Sequence, residues 1–77
     1  MNDTITIDTL QALLSANSIR EVIIMRAGDA YSVKAKFGMN DKVLRSQRER
    51  VRLFKSLDTC AKVLRKAGAV QITLDLS

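Results

Sequence analysis

The chain has 77 residues, 47% apolar and 27% charged, with no His, Pro or Trp and a single Cys; a chain this long buries roughly 60% of its unfolded surface in one modest core. The missing residue types exclude a disulfide framework, a Cys/His zinc site within one chain, and Ser-His-Asp or Cys-His catalysis. The net charge of +5 is uneven: residues 1–41 hold four basic and five acidic residues (net −1), and residues 42–77 hold nine basic and three acidic ones (net +6).

The first ten residues, "MNDTITIDTL", are acidic and lack an apolar signal core, and no apolar run in the chain is long enough to span a bilayer. Together with the lone thiol this predicts a cytoplasmic protein without membrane association. "TITI" reads equally as a strand or as an early helical turn. A short helix follows, with Asp8 as the expected N-cap, Gln11 as its capping-box partner, and Leu10, Leu13 and Leu14 on one face. Asn17 and Ser18 end it.

"IREVIIMRA" is rich in β-branched residues and reads as a strand covered on both faces. Gly28 then opens a two-residue loop suited to a type II′ turn. "AYSVKAKF" alternates, with Tyr31, Val33, Ala35 and Phe37 on one face and Ser32, Lys34 and Lys36 on the other. After a second turn at "GMND", residues 50–54 read as a strand, and "KVLRSQ" as its beginning, broken near Gln47–Glu49. "SLDTCAKVLRKAG" is the clearest helix. Ser56 is its N-cap, Asp58 lies in its first turn, Lys62, Arg65 and Lys66 lie on the outer face or last turn, and Gly68 is its stop. "VQITLDL" alternates again, predicting Val70, Ile72, Leu74 and Leu76 inward.

The expected fold is a single α+β domain over residues 1–77. Its order is α-β-β-β-α-β, with an antiparallel three- to four-stranded sheet and the helices on one face. The last strand either joins the sheet edge or pairs with a second chain, and an exposed edge predicts a homodimer.

Six cations, Lys42, Arg45, Arg48, Arg50, Arg52 and Lys55, face only Glu49 in "KVLRSQRERVRLFK". Such a field attracts nucleic acid or an acidic partner. Placing residues 50–54 beside the second strand predicts one basic sheet face. Arg45, Arg48, Arg50 and Arg52 would carry contacts to double-stranded DNA, with Lys34, Lys36 and Lys55 in support. The competing reading is an ordinary solvated sheet face. Only three aromatics are present, which argues against single-strand stacking. Cys60 falls on the apolar stripe of its helix and reads as a buried structural thiol. The scattered carboxylates and three glycines make neither a hydrolytic pair, a metal site nor a phosphate cradle, so no cofactor and no enzyme activity are expected.

Two resemblances follow from these residues. A meander running into Phe54, Lys55, Ser56 and Ala61 is similar to the arm-type DNA-binding domains of tyrosine integrases. Over nearly the whole chain, and most specifically in "SQRERVRLFKSLDTCAKVLRKAGA", the sequence resembles the ParC-type plasmid partition-associated family. That resemblance implies a cytoplasmic accessory of a plasmid or mobile element, working with DNA or with partition or host proteins. It implies no catalytic residues. An adaptor or inhibitor docking an acidic partner is the alternative.

Overall fold

Two glycines set the register of the middle of the chain. A computed structural model describes residues 3–46 and 50–76. In it β2 (Glu21–Ala27) and β3 (Ala30–Phe37) form an antiparallel hairpin closed by Gly28 at φ 64°, and β4 (Asn40–Leu44) follows after Gly38 at φ 59°. In each two-residue loop only the first position needs positive φ, where a Cβ would be strained. The pairs Ala27↔Ala30 and Phe37↔Asn40 fix everything behind them.

The ends of the chain add an edge strand on each side. β1 (Thr4–Ile5) lies parallel to β4, and β5 (Thr73–Asp75) lies parallel to β2. The sheet is therefore five-stranded and mixed, in the order β1-β4-β3-β2-β5. This corrects the expected antiparallel sheet of three to four strands. The physical reason is that both parallel pairs join segments far apart in sequence, and local alternation carries no record of them. The observed element order is β-α-β-β-β-α-β.

α1 (Ile7–Ser15) is capped two residues before the expected position. Thr6 is the N-cap, accepting from the Thr9 N–H at 3.3 Å, and Asp8 sits in the first turn. Thr6 and Asp8 are both capping residues. The extended backbone of β1 ends at Thr6 and decides between them. The helix ends as expected, with Asn17 in the left-handed region at φ 56°.

α2 (Leu57–Ala67) is bounded as its sequence predicts. The Ser56 hydroxyl accepts from the Thr59 N–H at 3.1 Å, and Gly68 takes a left-handed φ of 111°. Leu10 of α1 and Cys60 and Leu64 of α2 close over Val22, Ile24, Val33, Ala35, Leu44 and Phe54. All of these strand residues belong to one face, so both helices cover the same side and leave the other side open. Ile23, on the open side, is still only 8% exposed. Lys34 stands opposite it in register, where its aliphatic stem can shield it.

Residues 50–54 do not form a strand of their own. Val51 bridges Arg45, and Phe54 bridges Tyr31 with N–H···O bonds of 2.8 Å in both directions. Residues 50–54 thus meet the sheet only through single bridges, and the expected break in this strand falls at Gln47–Glu49. Gln47–Glu49 lie outside the described residues. β5 joins the edge of its own sheet with Leu74 opposite Ile24 on the helix side, but these apolar residues stay open to solvent: Val70 is 95% exposed, Leu74 45% and Leu76 47%, and of the four expected inward only Ile72 packs against the core.

Candidate nucleic-acid interface

The hairpin register decides where each cation goes. Because two residues separate β3 from β4, odd-numbered residues of β4 lie opposite even-numbered residues of β3: Lys34 pairs with Val43 and Lys36 with Asp41. The open face therefore receives Lys34, Lys36, Asp41 and Val43, and alternation returns Arg45 to it. Across β2 it receives Glu21, opposite Lys36, and Ile23, opposite Lys34. Thr73 and Asp75 complete it on β5. Three cations thus share this face with three carboxylates, and Lys36 sits between two of them. The Glu21 carboxylate accepts from the Thr73 hydroxyl at 2.7 Å.

Arg52 does not join this face. Phe54 stands opposite Tyr31 and is buried on the helix side, and the Arg52 guanidinium lies over the Phe54 ring at 4.9 Å. Its charge also reaches the Cys60 thiol beneath α2. The expectation that Arg50 and Arg52 pool with Lys34 and Lys36 is corrected on this point. Arg52 stands two residues before the buried Phe54, and alternation places both on the helix side.

Arg50 is exposed, and its carbonyl accepts from the Ser46 N–H at 2.7 Å. Lys55 is exposed immediately before the α2 cap. Arg48 lies outside the described residues. Arg45 is half-buried, and its Nε is enclosed without a hydrogen-bond acceptor.

The helix layer holds the charge surplus instead. From residue 50 to residue 68 the chain carries Arg50, Arg52, Lys55, Lys62, Arg65 and Lys66 against Asp58 alone. Lys62, Arg65 and Lys66 are exposed on α2. Their side follows from the amphipathic spacing that buries Cys60 and Leu64. Sequence reasoning assigned these three to the helix surface but not to a binding site. None of the six cations forms an ion pair with a described carboxylate; Lys42, outside this run, lies 4.0 Å from the almost wholly exposed Asp3.

Burial pushes the Cys60 thiol above its ordinary value, and the nearby Arg52 offsets this only in part. A protonated, enclosed thiol is a poor nucleophile. The concave surfaces lie elsewhere, around the start of β2. One cleft of about 280 Å³ runs between Leu14, Ile19, Val22 and Val70, and an adjoining one is lined by Arg20, Glu21, Lys36, Gln71 and Thr73.

These features define a small two-layer α+β domain whose helical side is strongly cationic. A family model described as ParC-like matches residues 5–77, and the chain belongs to that family. Membership supports a plasmid-associated role. No curated protein matches the chain. Among the described residues, no helix is long and apolar enough to cross a membrane.

Proposed function

We propose that the protein is a non-catalytic, partition-associated accessory that binds double-stranded DNA through the basic strip from Arg50 to Lys66. The observation that carries this reading is the run of six cations against one carboxylate, none ion-paired among the described residues, with Lys62, Arg65 and Lys66 exposed on α2. Phosphates are recognised by such spread donors, and a helix of this size fits the major groove. Lys34, Lys36 and Arg45 lie off the strip, on a face of balanced charge, and contribute only to the long-range field.

Fluorescence anisotropy with a labelled duplex tests this. If all six cations neutralise phosphates, the log–log salt slope is about −5, and affinity falls about 10³-fold between roughly 50 and 200 mM salt. The double variant Lys62→Glu/Arg65→Glu makes the slope shallower by about 2. Lys34→Glu/Lys36→Glu leaves it near the wild-type value. Absence of binding at low salt, or equal loss in both double variants, overturns the assignment of the strip. A stoichiometric complex with an acidic partition or host protein, without DNA affinity, establishes the adaptor reading in its place.

A further inference from the structure

We propose that β5 pairs antiparallel with β5 of a second copy of this chain, centred on Leu74, so that two sheets join into one of ten strands. The argument begins with the direction of the peptide groups. The two-residue turn makes Ala27↔Ala30 a hydrogen-bonded pair, so odd-numbered residues of β2 direct their peptide groups to β3 and even-numbered ones to β5. With Ile24 opposite Leu74 in a parallel pair, Thr73 and Asp75 turn their peptide groups toward β2. Leu74 turns its own outward.

Sheet edges are ordinarily protected by Lys, Pro, a bulge or a covering element. Residues 70–76, "VQITLDL", contain no Lys, Arg or Pro. They instead expose apolar surface at Leu74 and Leu76, which lie on the helix side beside the core. The opposite edge, β1, is only two residues long.

Self-pairing satisfies both the charge and the shape of this edge. Centring on Leu74 matches the whole three-residue strand with itself. Leu74 meets Leu74 of the second copy, and Ile72 meets Leu76, so the exposed apolar side chains extend the core between the layers. Each Asp75 meets a Thr73 and not the other Asp75; a centre at Asp75 would oppose like charges, which destabilises a strand pair. The resulting two-fold axis is perpendicular to the sheet, so both helix layers fall on the same side. Two basic strips then share one surface of the dimer, a consequence that rests on the reading of the strip given above, whereas the pairing itself does not.

Sedimentation equilibrium of the full chain without DNA, over about 1–200 µM, tests the pairing. The wild type shows a concentration-dependent dimer. Leu74→Lys raises the dimer dissociation constant at least tenfold while keeping the wild-type circular dichroism, because residue 74 is half-exposed and outside the packed core. Hydrogen exchange supplies a second readout: the amide of residue 74 gains protection with protein concentration in the wild type and does not in the variant. A monomer across the whole range overturns the proposal, as does a dimer indifferent to Leu74→Lys. A monomer that instead takes up a strand from another protein at β5 also overturns it. An intact dimer without DNA affinity leaves the pairing standing and counts against the strip alone.

Discussion

Replacing Arg45 by methionine should make the protein more stable. The Arg45 Nε is enclosed and has no acceptor among the described residues, whereas the residue as a whole is half-buried, so its stem packs while one donor goes unsatisfied. Leaving a buried donor unmade costs about 1–3 kcal/mol. Methionine keeps an unbranched apolar stem of similar reach and brings no donor. It forgoes only the hydration and long-range charge of the guanidinium, so a net gain of about 1 kcal/mol is expected. In a domain of this size that corresponds to a rise in Tm of roughly 4–8 °C. Thermal unfolding followed by circular dichroism, at one fixed protein concentration, reads it directly. Arg45→Ala serves as the control, because it removes the stem as well and should gain less or lose. The DNA salt slope of Arg45→Met should stay near wild type, since the residue lies off the cationic strip. A Tm at or below the wild-type value would show that Nε is satisfied in solution and would refute the reasoning.

Two further outcomes follow from the packed layer. Leu64, wholly enclosed between α2 and the sheet, should cost about 2–5 kcal/mol when cut to alanine, seen as a lower urea midpoint with an unchanged m-value. The Cys60 thiol, held above its ordinary value by burial, contributes stability that is whole below the unfolded value near 9.0 and is lost as pH rises through the higher folded value. The difference in Tm between wild type and Cys60→Ala should therefore narrow from about pH 8 to about pH 10, and a constant difference would contradict it.

What the sequence revealed was what local chemistry determines. Ser56 and Gly68 mark α2 without help from the rest of the chain, because a cap and a left-handed stop are properties of a few residues. Gly28 and Gly38 mark the hairpins for the same reason. The α1 start was legible only to within two residues, since Thr6 and Asp8 both cap well and a contact with β4 places the preceding strand. The parallel pairs Thr4↔Val43 and Ile23↔Thr73 left no local trace. The misplaced cations are a different case. The side of Arg52 was legible in its spacing of two from the apolar Phe54, because a core residue carries its alternate neighbours to the same face. The ParC-like resemblance covered what the periodicities did not, and the family match bears it out.

The two parallel edges also order the assembly of the molecule in time. The meander from Glu21 to Leu44 closes through short loops, whereas β2 must wait for residues 50 positions later, from Ile23 to Thr73, to acquire its outer neighbour. Non-local closures of this kind are slow relative to hairpins. On a ribosome the flank of β2 accordingly stays unzipped until the segment after α2 has been synthesised. A nascent chain passes through a stage in which Ile24 and Val22 have β3 on one side and no strand on the other, and at that stage the chain is most prone to pairing with the wrong neighbour.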